Sequence, residues 1–139
     1  MIDIDNKTSL TINTSFIQSI ADTLTDKEIE LIITTNNEIQ QINKEYRNID
    51  KPTDVLSFPY KDMPMTPLGS IVISQDFVVT KAQELGHSQE NEFTLLFIHG
   101  LLHLLGYDHE IDSGQMREEE ERLIYEFKLP KSLIVRTQG

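Results

Sequence analysis

The chain has no cysteine and no tryptophan, and its basic residues are few beside its acidic ones. Without cysteine there can be no disulfide and no thiolate metal ligand, which fits a protein of the cytoplasm. The 12 basic residues stand against 23 acidic residues, so the formal net charge is −11. Because broad nucleic-acid binding depends on Lys and Arg neutralising phosphates, this charge argues against an extended nonspecific interface, and no DNA ligand is expected.

The sequence also lacks an apolar run long enough to span a bilayer. Its longest apolar stretch, 93–105, is interrupted by Thr94, His99, Gly100 and His103, and it predicts a buried central helix. The first residues lack the basic and apolar regions of a signal peptide, so we expect a cytoplasmic location and no membrane partner. A length of 139 residues without repeats or linkers predicts a single domain over residues 1–139.

Short strand and helix patterns follow one another along the chain without a regular β-α-β order. Alternating or β-branched apolar residues predict strands at 2–5, 29–34, 55–58 and 71–74. Helical spacing predicts five helices. Three of them are capped by Thr14 or Ser15, by Asn36 or Asn37, and by Ser88; a fourth covers 75–85 and is ended by Gly86, and the last starts near Asp112 or Ser113. The mixture predicts an α+β fold with a small mixed sheet of about four strands and packed helices. The tail after Pro130 is expected to be partly ordered at best.

Three of the chain's four histidines lie within residues 99–109, at the spacing H-x3-H-x2-G-x2-H. His99 and His103 are one helical turn apart and share a face. Gly106 can end the helix in a left-handed conformation, so that His109 returns to the same point. Three imidazoles with an open fourth position are typical of catalytic zinc, although nickel, copper and iron also accept them. We predict one Zn²⁺ on this central helix, and a surface position for His87.

The same spacing occurs in the metzincin peptidases, whose pattern is H-E-x-x-H-x-x-G-x-x-H. Position 100 of this chain is glycine, whereas the peptidases carry there the glutamate that acts as general base in peptide hydrolysis. The ligand geometry is therefore zincin-like, and a zinc hydrolase of peptides or small molecules is an alternative that rests on the spacing alone.

The window HGLLHLLGYDH at 99–109 resembles the signature of the YbeY family of bacterial endoribonucleases. Two further blocks agree, namely YR at 46–47 followed by DKPTDVLSFP at 50–59, and LGSIVI at 68–73. The resemblance covers nearly the whole chain. It implies a zinc-dependent, single-strand-specific endoribonuclease that acts in late maturation of the 16S rRNA 3′ end and in ribosome quality control. One difference is Ser70, where the family usually carries aspartate.

The resemblance also implies a functional role for Arg47. A guanidinium suits a phosphodiester because its planar fork bonds phosphate oxygens in pairs. We predict that Arg47 is catalytic and binds substrate, and that Lys51 is a second phosphate contact. The general base stays open. Asp108 either orients a ligand histidine or caps its turn, and Asp54 and Ser57 are expected near the cleft.

Acidic residues concentrate in 108–121, which holds seven carboxylates and one arginine. The glutamates at 118–121 are predicted to form a solvated face of the last helix, and Met116 its core side. The acidity predicts weak, salt-sensitive affinity for single-stranded RNA, with the ribosome or a small-subunit protein assisting delivery. An alternative from a different class is a ribosome-assembly factor whose zinc is mainly structural.

Overall fold

The structure is a computed structural model, and it describes residues 1–108 and 110–130. Within these ranges the strands are β1 (Ile2–Asn6), β2 (Ile29–Thr34), β3 (Val55–Pro59) and β4 (Gly69–Ser74). The helices are α1 (Thr14–Asp22), α2 (Asn36–Arg47), α3 (Gln75–Leu85), α4 (Gln89–Leu104) and α5 (Gln115–Glu126). His109, predicted to be a metal ligand, and the tail 131–139 lie outside the described residues.

The four strands form one mixed sheet in the order β1-β2-β4-β3. Strands β1, β2 and β4 run parallel, and β3 pairs antiparallel with β4 at one edge. The predicted α+β fold with a small mixed sheet is therefore confirmed, and the four predicted strands match β1 to β4. Strand β4 begins two residues before the predicted start, so it includes Ser70.

Helix α4 is the centre of the protein, as its apolar sequence predicts. Phe97 and Leu101 belong to a buried cluster with Leu31 and Ile71 of the sheet. The opposite side of the helix, represented by Ile98, packs against apolar residues of α1 and α5. Burying each such side chain stabilises the fold by about 1.5–3 kcal/mol. No helix in the described part of the chain is long and apolar enough to cross a membrane.

Helices α2 and α4 cover opposite faces of the sheet. Side chains alternate along a strand, so Ile71 of β4 lies in the cluster with α4 whereas Val72 lies in a second cluster with Ile39 of α2. Leu56 of the edge strand β3 joins that second cluster. The C-terminal end of α2 and the middle of α4 thereby both come close to β3.

Most helix ends follow local signals. The Ser88 side chain accepts a hydrogen bond from the backbone N–H of Asn91 (3.0 Å), as expected for the cap of α4, and α3 ends at the predicted Gly86. The cap of α1 is one residue earlier than predicted. Asn13 Oδ1 accepts from the backbone N–H of Phe16 (3.2 Å), because an asparagine carbonyl is at least as good a cap as a hydroxyl.

The prediction that Asn36 or Asn37 caps α2 is wrong, since Thr35 is the cap residue and both asparagines lie in the first turn. The Asn36 side chain is engaged elsewhere, because its Oδ1 accepts from the hydroxyl of Ser74 (2.7 Å). Its backbone N–H donates to Asp76 Oδ2 (2.7 Å). A residue beyond the helix thus satisfies one of the first-turn N–H groups, which have no partner within the helix.

Helix α5 begins at Gln115, slightly later than the predicted starts. Asp112 still stabilises the turn before it, because its carboxylate accepts from the backbone N–H groups of Gly114 (2.8 Å) and Met116 (3.0 Å). Met116 is fully buried, as predicted.

The prediction of a surface position for His87 is wrong. Its Nε2 lies 2.8 Å from Oε1 of Glu92, and the two side chains are 6% and 0% exposed. A paired carboxylate offsets part of the cost of burying the polar imidazole.

Candidate active site

His99 and His103 project from one face of α4, as their spacing predicts. Their Nε2 atoms lie 3.2 Å apart, and both rings are half-buried. Two nitrogen ligands of a tetrahedral zinc ion, each about 2.05 Å from the metal, would be about 3.3 Å apart. The two nitrogens are therefore spaced like adjacent ligands of such an ion.

A carboxylate on α5 lies within hydrogen-bond distance of one of these rings. Oε1 of Glu120 lies 3.0 Å from Nδ1 of His99, and the Glu120 side chain is 5% exposed. A carboxylate oxygen accepts, so this contact favours the tautomer in which Nδ1 carries the proton and Nε2 keeps a lone pair towards His103. Such a partner fixes the ring and makes the other nitrogen a better ligand.

The prediction that the whole glutamate run faces solvent is therefore wrong at Glu120. A sequence signal was available, because Glu120 is four residues after Met116 and four before Ile124, both fully buried. Residues four apart share a helix face, so Glu120 belongs to the core-facing side of α5.

The chain reverses after α4 at the predicted glycine. Gly106 has φ +99°, a conformation that other residues resist. The backbone N–H of Gly106 donates to the carbonyl of His103 (3.0 Å), and that of Tyr107 donates to the carbonyl of Leu102 (3.0 Å). Among residues 1–108 and 110–130, no group of three His, Asp or Glu side chains is arranged to hold a metal. The described part supplies two of the three predicted ligands, and His109 lies outside it.

Arg47 shares a cleft of about 390 Å³ with both histidines. It is the last residue of α2, which ends because Asn48 adopts a left-handed conformation with φ 58°. Strand β3 forms one wall of this cleft, and Asp54 and Ser57 line it as expected. The structure thus brings together an arginine and a histidine pair that are more than fifty residues apart.

Lys51, the second predicted phosphate contact, is exposed but is not one of the described residues that line this cleft. Its segment is anchored to α2, because Nδ2 of the buried Asn43 donates to the Lys51 carbonyl (3.0 Å). Its role in binding substrate stays a prediction.

Gly100 allows α4 to lie directly on the sheet beside the histidines. A Cβ at this position would lie 2.9 Å from Cγ2 of Ile71 and 3.2 Å from Oγ of Ser57. The Ser57 hydroxyl donates to the Gly100 carbonyl (3.0 Å) and so joins the cleft wall to the helix. A side chain at this position, such as the glutamate that metzincin peptidases carry at this point of their motif, would force these neighbours to shift.

The carboxylates of the cleft have local structural tasks. Asp54 Oδ1 accepts from the backbone N–H of Val55 (2.7 Å) at the start of β3. Asp108 Oδ1 accepts from the backbone N–H of Glu110 (3.0 Å), so of its two predicted roles the structure shows the turn-capping one. Both residues, together with Glu110, also line the cleft and make its rim acidic around Arg47.

Comparison with known proteins gives a consistent result. Residues 2–128 match the family model described as Endoribonuclease YbeY. Endoribonuclease YbeY of Sulfurimonas denitrificans is 63% identical over 139 residues, which is the full length of both chains. Endoribonuclease YbeY of Aliarcobacter butzleri is 65% identical over 140 aligned residues, covering 98% of this chain and 99% of that one.

A solved structure agrees with the fold. The solution structure of TM1509 from Thermotoga maritima matches with a TM-score of 0.61 and 26% identity, over 95% of each chain.

These relatives define the class of the protein, which is that of the endoribonucleases, hydrolases that act on RNA. Within that class the chain belongs to the YbeY family, as the three sequence blocks indicate.

Proposed function

We propose that this protein is a zinc-dependent endoribonuclease that cleaves single-stranded RNA in late maturation of the 16S rRNA 3′ end. The observation that carries the proposal is the cleft in which Arg47 lies with the converging Nε2 atoms of His99 and His103. The reaction is inferred from the family, and the cleft contains side chains that suit the binding and hydrolysis of a phosphodiester.

His99, His103 and His109 are the proposed ligands of a single Zn²⁺. The 3.2 Å separation of the first two Nε2 atoms and the carboxylate partner of His99 suit a metal held by neutral imidazoles. When bound, zinc would lower the pKa of water so that hydroxide is available near neutral pH.

Arg47 has the task of holding the scissile phosphate. Its guanidinium can donate two parallel hydrogen bonds to phosphate oxygens and offset the negative charge that develops during hydrolysis. Lys51, outside the cleft, would contact a phosphate further along the strand. The carboxylates of Asp54, Asp108 and Glu110 repel phosphates elsewhere on the rim, so the backbone is drawn to the arginine.

Delivery of RNA depends on a partner in this proposal. A net charge of −11 gives weak intrinsic affinity at physiological salt. The ribosome or one of its small-subunit proteins would therefore present the strand, and the enzyme would act in the cytoplasm.

The metal is tested by measuring zinc content after purification. His99→Ala, His103→Ala and His109→Ala should each lose zinc, whereas His87→Gln, at the one histidine outside the motif, should retain it. Loss of zinc from none of the three motif variants would refute the ligand set.

The activity is tested by cleavage of a single-stranded 16S rRNA 3′-precursor with identically purified proteins. Arg47→Ala should bind zinc normally and lose cleavage, and Arg117→Ala, which removes an exposed arginine of α5, should cleave like the wild type. Equal cleavage by wild type and Arg47→Ala would refute the role of Arg47. Folded histidine variants that still complement a deletion strain would favour the assembly-factor alternative.

A further inference from the structure

A second concave surface adjoins the cleft on the α2 side of the sheet. This surface, the aromatic groove, has a volume of about 410 Å³ and is lined by the rings of Tyr46, Phe58 and Tyr60 over the aliphatic side chains of Ile32, Ile42 and Val72. Such rings offer flat apolar faces of the size of a nucleobase.

The rings of the aromatic groove are accessible and held in place. Tyr46 is 67% exposed, although its ring packs edge-on against Phe58 with centroids 5.5 Å apart. Tyr60 is 38% exposed, and its hydroxyl donates to Oε2 of Glu30 (2.7 Å). A hydrogen bond with Ser70 lowers the pKa of Tyr60, but the hydrogen bond to Glu30, burial and the Glu30 charge together raise it. Tyr60 therefore remains a neutral phenol at physiological pH.

Residues that line the aromatic groove are sequence neighbours of residues that line the cleft at two points of the chain. Tyr46 immediately precedes Arg47, which lines the cleft. Phe58 and Tyr60 flank Pro59, which also lines the cleft. An endonuclease cuts inside a strand, so nucleotides on both sides of the scissile phosphate must leave the cleft across neighbouring surface. Tyr46 is the aromatic side chain next to Arg47 in the chain, so it is the nearest candidate along α2 to contact such a nucleotide.

The charges of the aromatic groove suit a base better than a phosphate. The carboxylate of Glu45 lies in its lining, and Glu30 is bound to Tyr60, so a phosphate would be repelled there. Ser70 also lines the groove and pairs with Glu30 in the strand register, and its side chain adds no charge to the groove wall. A base is uncharged, and its exocyclic amino groups can donate to a carboxylate.

We infer that the aromatic groove is a stacking subsite for the base of a nucleotide that flanks the scissile phosphate, with Tyr46 as its platform. The inference rests on the proposed function, because it takes the phosphate to be at Arg47. Stacking on aromatic side chains is a usual way to hold single strands without regard to sequence, and each stacked base contributes substantially to affinity.

The absence of tryptophan from the chain allows a direct test. Tyr46→Trp places a single indole in the aromatic groove, and Tyr125→Trp places one at an exposed position of α5 as the control. Titration with a 2′-O-methyl oligoribonucleotide of about 10 nucleotides, a length typical of single-strand sites, should quench the first indole and leave the second unchanged. An abasic oligomer with the same backbone should quench neither.

Removal of the ring supplies the quantitative test. Tyr46→Ala should weaken binding of the oligomer about 10-fold and Tyr46→Phe should bind like the wild type, because stacking requires the ring alone. In cleavage, Tyr46→Ala should raise KM with little change in kcat. Unchanged binding by Tyr46→Ala, or equal quenching by the abasic oligomer, would overturn the inference and favour a protein partner for the groove. These binding measurements do not depend on cleavage, so they are distinguishable from failure of the proposed activity at Arg47.

Discussion

Replacing Glu120 tests whether α5 orients the proposed metal ligand His99. The Glu120 side chain is 5% exposed, and its Oε1 lies 3.0 Å from Nδ1 of the imidazole. Glutamine keeps an oxygen acceptor of nearly the same shape and removes the charge. Leucine removes the acceptor as well and leaves Nδ1 without this partner. The pair of substitutions therefore separates the effect of charge from the effect of the hydrogen bond.

The expected loss is in metal affinity. Mutation of the group that binds the second nitrogen of a metal-ligating histidine costs about 10- to 100-fold in metal affinity, which corresponds to about 1.4–2.8 kcal/mol. We expect Glu120→Gln near the lower end of this range and Glu120→Leu near the upper end. The reason is that the 3.2 Å approach of Nε2 of His99 to that of His103 depends on the orientation of the first ring.

The assay is competition for Zn²⁺ with a chromophoric chelator, supported by the visible spectrum of the Co²⁺-substituted protein. Glu118→Gln is the matched control, because it removes the same charge from an exposed position of the same helix, and it should bind like the wild type. Thermal unfolding without metal establishes that each variant is folded. A folded Glu120→Leu protein with wild-type affinity would refute the reasoning.

Three further substitutions have expected effects on stability. Gly100→Ala should lower the free energy of unfolding by about 1–3 kcal/mol, since its Cβ would lie 2.9 Å from Cγ2 of Ile71; an unchanged urea midpoint would contradict this. Gly106→Ala should cost about 1–2 kcal/mol because φ is +99° there, and it should weaken zinc retention. Wild-type stability with full zinc content would count against that expectation. His87→Leu removes a partner 2.8 Å from the buried carboxylate of Glu92 and should cost about 1–3 kcal/mol in thermal unfolding; equal stability would show that the pair contributes nothing.

Local patterns in the sequence predicted the elements of the fold well. Strand alternation, helical spacing, the Ser88 cap and the turn at Gly106 all depend on residues within one or two helical turns of each other. The start of α2 was less predictable, because Asn36 bonds to Ser74, 38 residues further along the chain. A capping preference is weak enough for one tertiary hydrogen bond to override it.

In the candidate site, too, some features were determined by the sequence and others only by the tertiary structure. By itself the sequence determined that His99 and His103 share a helix face, that the chain can reverse after them, and that three blocks match one family. The tertiary structure alone decided that Arg47 shares their cleft, that Gly100 lies against the sheet, and that Glu120 holds an imidazole 21 residues away. These contacts depend on how three helices, α2, α4 and α5, pack with the sheet, and the geometry of that packing is set by the whole buried core.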